Sequence, residues 1–259
     1  MEEILPHFPA FLLVVVRVTT FFVAMPIFSY RTIPASHRIG LGVALAWIMY
    51  YTLDIPVLEI DAEFFLLIIK EALVGLFIGF ISYVIITAIQ IAGGLIDFQM
   101  GFSIANVIDP QTGAQSPLMG QYLYIIALLF LLSTNGHHLL LDGIFYSYQF
   151  IPLEQMFIPF GKEELINQVI LAFNKSFIIA FQMAIPVVGS IFLVDVGLGI
   201  LARTVPQLNV FVVGIPVKII ASFLVLIIVL GMMMKAVAGL FEYLILTMRT
   251  LMQVIGGMG

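Results

Sequence analysis

His137, His138 and Asp142 are the residues whose types and spacing come nearest to a reactive group. His138 and Asp142 stand four apart and would share one face of a helix, with His137 beside them. Together they offer at most three metal ligands from one short segment, and Asn135-Gly136-His137 reads more simply as a turn and helix entry. Lys235 and Glu242, seven apart on one helical face, present opposite charges to neighbouring helices. No GxSxG elbow, phosphate-binding glycine loop, HExxH pair or dinucleotide fingerprint occurs. Cysteine is absent, which removes disulfides, a thiolate nucleophile and Cys-based metal centres. These residues imply no enzyme chemistry and no cofactor.

The remaining polar residues are sparse. Of 259 residues, 62% are hydrophobic and 10% charged, and mean hydropathy is +1.18. A soluble fold of this size cannot hide so much apolar surface, so lipid or a protein assembly must cover it. Net charge is −5 and no basic run exists, which argues against nucleic acid as a partner. The acidic start and Arg17 within the first apolar run do not fit a secretory signal, so that segment is expected to persist. The chain reads as an all-α integral membrane protein.

Charges and prolines punctuate a series of apolar segments, for which hydropathy gives six spans. Residues 8–28 are apolar apart from Arg17; 29–38 form a connector with Arg31 and Arg38; 39–53 are apolar again. An acidic connector at 54–63 precedes a 33-residue stretch, 64–96, whose only charges are Lys70 and Glu71. As one helix it would run about 50 Å, well past a hydrocarbon core of roughly 30 Å, so a break is expected at Gly93-Gly94. Residues 97–121, rich in Gly, Ser, Asn, Gln and Pro, read as a long irregular loop, and loops of that length are often functional. Apolar helices follow at 122–134 and 139–151, then 166–194 with Pro186 as a kink, an interrupted hairpin at 197–218, and 219–248. The basic first connector and acidic second one place the N-terminus outside the cytoplasm.

Several of these segments carry a charge near the middle: Arg17, Lys70, Lys175 and Lys235. Each would cost about 2.5–3.5 kcal/mol at a lipid-facing helix centre, so these groups must face protein or water, or their helices do not sit squarely in the bilayer. Gly75 and Gly79 in GLFIG form a small-xxx-small pattern that permits close helix approach. Met232-Met233-Met234 reads as flexible packing before pore lining.

One set of strings runs through nearly the whole chain: Arg17, PIFS at 26–29, Ile33-Pro34, Glu71, Gly75 and Gly79-Phe80, Ala92-Gly93 and QMGF at 99–102. Asp109-Pro110, Ser116-Pro117, Asn135-Gly136-His137, Ala202-Arg203-Thr204, PQLNVF at 206–211 and Gly214-Ile215-Pro216 continue it. In these the chain resembles the FliR family of flagellar biosynthetic proteins and its virulence-type counterparts in type III protein export. The resemblance implies helical hairpins with broken helices, assembled into a cone. One copy of the chain would join FliP-like and FliQ-like membrane subunits, with further export-apparatus proteins and membrane lipid around them. It implies a FliP-like part at 1–165 and a FliQ-like hairpin at 166–259. It also implies a place in the bacterial inner membrane at the flagellar basal body, and passage of unfolded flagellar proteins.

The resemblance further assigns residues 103–117 to a plug in the channel. Its candidate pore residues are Phe102, Ser103, Ile104, Asn106, Val107, Ile108, Asp109, Pro110, Ser116 and Pro117. Beside this stands a physical argument: irregular backbone at membrane depth is tolerated only when buried in protein or lining a water-filled cavity. Phe102, Ile104, Val107 and Ile108 are apolar enough to close a narrow pore by dewetting. Arg17, Arg203, Pro206, Gln207 and Asn209 are expected at helix or subunit junctions, with Arg203 able to grip a carboxylate or helix-end carbonyls. The competing reading is a self-contained small-solute transporter or channel, which would need related halves and a polar midplane site. The halves look dissimilar, and no such cluster stands out.

Overall fold

A computed structural model of the chain describes residues 8–28, 33–53, 58, 60–102, 117–159, 161–207 and 209–257. Among them all regular structure is helical: α1 (Phe8–Ala24), α2 (Ala35–Tyr50), α3 (Ala62–Met100), α4 (Leu118–Ser133), α5 (Gly136–Phe150), α6 (Glu163–Thr204) and α7 (Val210–Ile255). Three of these, α3, α6 and α7, are long and apolar enough to cross a membrane. The pair α4 and α5, interrupted at Thr134-Asn135, makes a fourth if counted as one broken span. The six spans expected from hydropathy therefore exceed the three or four that the described helices offer by length and composition. At 1.5 Å per residue, the 39, 42 and 46 residues of α3, α6 and α7 run to about 58, 63 and 69 Å. Each is roughly twice the thickness of a hydrocarbon core.

The chain divides into two compact units. The first comprises residues 1–86, 135–173 and 242–259, and the second comprises 87–134 and 174–241. In the first unit α1 buries Ala10, Leu13, Val14, Arg17, Val18, Phe21 and Phe22, a helical stripe with an arginine at its centre. Its β-branched run is helical because an apolar setting forces the backbone to satisfy itself. Thr19 and Thr20 fold their hydroxyls back onto the carbonyls of Val15 and Val16 at 2.6 and 2.8 Å. Phe11 packs edge-on against Trp47 and Tyr50 of α2, with centroids 5.4 and 5.6 Å apart. α3 buries Leu67, Lys70, Glu71, Val74, Ile78 and Ile81, again at helical spacing.

Gly75 and Gly79 let α1 lie directly on α3. A Cβ on Gly75 would collide with the Arg17 carbonyl and the Thr20 hydroxyl. One on Gly79 would sit 2.7 Å from Ala24 Cβ and 2.8 Å from the Phe21 carbonyl. The small residues thus set a helix–helix distance that larger side chains would forbid.

In the second unit α3 passes through Gly93-Gly94 without the expected break. Those glycines serve packing instead, since a Cβ on Gly93 would overlap the backbone of Met119 and Gly120 at the start of α4. Both ends of the stretch expected as an irregular loop, 97–121, are helical: α3 holds Asp97 to Met100, and α4 begins at Leu118. Pro186 and Pro216 both lie inside helices, so the interruption expected over 197–218 contracts to the short connection between Thr204 and Val210. Nearby hydroxyls bond the backbone around both prolines: Ser190 donates to the Pro186 carbonyl at 2.7 Å, and Ser222 to the Lys218 carbonyl at 2.6 Å. The most apolar windows of α6 and α7 are only 28% and 17% buried within the chain, against 56% for α3. Phe192, Leu193, Ile227 and Ile228 leave a surface that only lipid or other protein can cover.

Candidate functional site

Arg17 and Glu71 meet inside the first unit, both fully buried. The guanidinium grips the carboxylate with two donors: Nε toward Oε2, and Nη2 toward Oε1 at 2.9 Å. Nη2 also donates to the Ile151 carbonyl at 2.8 Å and Nη1 to Ser147 Oγ at 3.0 Å. The Tyr148 ring stacks on the guanidinium, 4.1 Å from Cζ to centroid. Lys70 pairs with the same carboxylate and donates to the carbonyls of Pro152 and Leu153 at 3.0 and 3.1 Å. Two cations on one carboxylate leave a positive excess. The carbonyls of residues 151–153, just past the C-terminal end of α5, supply the matching negative dipoles. The cluster ties α1, α3 and the end of α5 together and exposes nothing to a substrate. These contacts account for two mid-segment cations lying inside the chain.

The second unit holds the stem of the 103–116 segment. Gly101, at φ +89°, ends α3 in a Schellman turn: Phe102 N–H donates to the Asp97 carbonyl at 3.1 Å and Gly101 N–H to the Phe98 carbonyl at 3.3 Å. Pro117 precedes α4 with no side-chain cap of its own. Asp97 provides one from the facing helix, its Oδ2 accepting the Met119 N–H at 2.9 Å. A single buried residue thus bonds the chain on both sides of the segment, at Phe102 and at Met119. Asp97 Oδ1 is buried with no hydrogen-bond partner among the described residues.

A second polar group adjoins the stem. Gln99 Nε2 donates to Asp195 Oδ2 of α6 at 2.9 Å, and Asp195 Oδ1 pairs with Lys218 of α7. At the α6–α7 connection, Arg203 stands exposed in the last turn of α6, with Pro206 and Gln207 exposed after it. Asn209 caps α7, its Oδ1 accepting Val212 N–H at 3.4 Å.

The model of the family described as "Bacterial export proteins, family 1" matches residues 8–244. That span covers every element just described except the end of α7. The chain belongs to this family. It is 58% identical to a flagellar biosynthetic protein FliR of Bacillus subtilis, over 99% of each chain. It is 32% identical to the Yop proteins translocation protein T of Yersinia pestis, over 83% of this chain and 84% of that one. A FliR of Escherichia coli matches at 29% over 78% of this chain and 77% of its own. Membership makes this an all-α bacterial export protein of the membrane and sets aside the self-contained small-solute transporter.

Within this export-family chain the sequence-derived residues fall into three groups. Arg17, Gly75 and Gly79 come together in the first unit, where the glycines bring the α1 backbone close enough for Arg17 to reach Glu71. Phe102 and Pro117 flank the stem and are half-buried, while Ser103, Ile104, Asn106, Val107, Ile108, Asp109, Pro110 and Ser116 lie outside the described residues. Arg203, Pro206, Gln207 and Asn209 gather at the α6–α7 connection, and among the described residues no side chain bonds Arg203. The His137 and His138 rings lie tilted to each other, centroids 4.2 Å apart, at the start of α5, and the described residues contain no group of three metal-ligating side chains. Lys235 and Glu242 are both exposed. Sequence reasoning missed Asp195 and Ser147 altogether. A carboxylate in the apolar run of α6 was the available signal for Asp195; a serine in a helix gives none.

Proposed function

We propose that the chain is the structural and gating subunit of a type III protein export channel. It would let unfolded flagellar proteins cross the bacterial inner membrane at the flagellar basal body, without enzymatic chemistry of its own. The observation that supports the gating part is Asp97, which bonds both ends of a segment too rich in Gly, Pro and polar residues to continue either neighbouring helix. A segment of that composition between two apolar helices, with its flanking residues bonded to one aspartate, suits a plug that fills a pore at rest and yields to a passing chain. In this reading residues 103–117 form the plug and Phe102 borders it.

The partners we propose are FliP-like and FliQ-like membrane subunits, with one copy of this chain among several of theirs. Residues 1–165 would take a FliP-like place in the cone and the 166–259 hairpin a FliQ-like one. The exposed apolar faces of α6 and α7 support this, because they need covering and exceed the bilayer in length. Extraction of the chain from its native membrane tests the assembly. Migration in a complex with two other small membrane proteins is the expected result, and a well-folded, monodisperse chain without affinity for such subunits would contradict it.

A further inference from the structure

The Gln99–Asp195–Lys218 group joins three helices of the second unit, and no role so far accounts for it. Asp195 sits between Val194 and Val196 in an apolar run, where an unpaired carboxylate would be costly. Lys218 offsets that charge at one oxygen, and Gln99 occupies the other with a neutral amide. The two arms differ in kind. With 35% of the Asp195 side chain and 22% of the Lys218 side chain exposed, breaking the lysine arm separates two opposite charges that water only partly reaches, whereas exchanging the amide arm for water leaves no charge without its counterion. Gln99 is also two residues before the Gly101 turn and two after Asp97, so the exchangeable arm ends on the stem itself.

We infer that Asp195, oriented by Lys218, is a positioning residue that holds the end of α3 to the α6–α7 hairpin through Gln99. Movement of that hairpin is thereby passed to the stem of the 103–116 segment. The inference rests on the gating role proposed above. In it the Gln99–Asp195 bond is kept in the resting channel and given up when a polypeptide passes.

The absence of native cysteine permits a clean test. Gln99→Cys with Asp195→Cys, in the assembled complex, should raise resting ion leak because the bond is gone. A short cleavable bis-thiol cross-linker should restore the seal and abolish export, and cleavage should reverse both. Export at full rate while cross-linked overturns the inference, as does a leak that ignores the cross-linker. If the double variant does not assemble, single variants decide: Gln99→Glu, which sets two carboxylates against each other, should leak more than Asp195→Asn, which keeps an acceptor for the amide. Equal, wild-type leak in both overturns the inference. A deletion within residues 106–115 is measured alongside. Leak from the deletion alone removes the tether and keeps the gate, and no leak from the deletion removes both.

Discussion

The Asp97 carboxylate caps the helix that begins at Leu118, taking the Met119 N–H at 2.9 Å. Because the Asp97 backbone carbonyl also receives Phe102 N–H, one residue bonds the chain on both sides of the 14-residue stretch 103–116, by its main chain before it and its side chain after it. Loss of a helix cap costs about 1–2 kcal/mol, and a stranded buried N–H adds to it. Asp97→Ala should therefore lower the unfolding midpoint of the assembled complex in detergent and increase cleavage by protease within 103–116. Asp97→Asn, which keeps an acceptor oxygen, should sit close to wild type in both measurements.

Glu71 carries two cations, so removing it is a harsher change than removing either partner. Breaking a buried ion pair from one side costs about 3–5 kcal/mol, and Glu71→Ala strands both Arg17 and Lys70. We expect little folded protein from Glu71→Ala in membrane fractions. The combination Arg17→Met, Lys70→Met, Glu71→Met should recover part of the yield, because no buried charge is left unpaired. A triple variant no better than Glu71→Ala would show that the cluster does more than neutralise its members.

Gly75 and Gly79 are packing positions within the chain. Gly75→Ala places a methyl group onto the Arg17 carbonyl and should cost about 1–3 kcal/mol, read as lost thermal stability and lost membrane accumulation. Gly231→Ala in α7 meets no atom within 4 Å of its new Cβ and should leave the fold of the chain unchanged.

The elements were legible where charge and period agreed. Arg17 falls at the centre of an i, i+3, i+4 apolar stripe, and Lys70 and Glu71 continue the buried stripe of α3. The period alone therefore turns all three inward, and opposite signs then make them partners. The GLFIG spacing gave the close approach, whereas the Gly101 turn that ends α3 was read as part of a longer loop. What misled was punctuation. Gly93-Gly94 looked like a break, but its lost side chains make room for Gly120 rather than for a bend. Pro216 looked like part of an interruption, yet α7 continues through it, and Pro186, expected as a kink, likewise lies inside α6. Asp195 showed only as a carboxylate in an apolar run, because its partners, Gln99 and Lys218, lie 96 and 23 residues away.

Arg203 has its charge in the open at the last turn of α6, where it complements the helix end, and among the described residues no side chain bonds it. Arg203→Ala should leave the stability of the chain unchanged and weaken its co-purification with the other subunits. Arg203→Lys should restore only part of that, since a lysine cannot grip a carboxylate with two parallel donors. Undiminished assembly with alanine would remove Arg203 from any junction.

The gating account stands or falls on ion flow through the assembled complex at rest. Single-channel conductance is to be recorded in a planar bilayer from wild type and from a chain shortened within residues 106–115, after both are shown to assemble equally. The account predicts a closed wild-type channel and a steady leak from the shortened one. An assembled, shortened complex that stays as tight as wild type would contradict it.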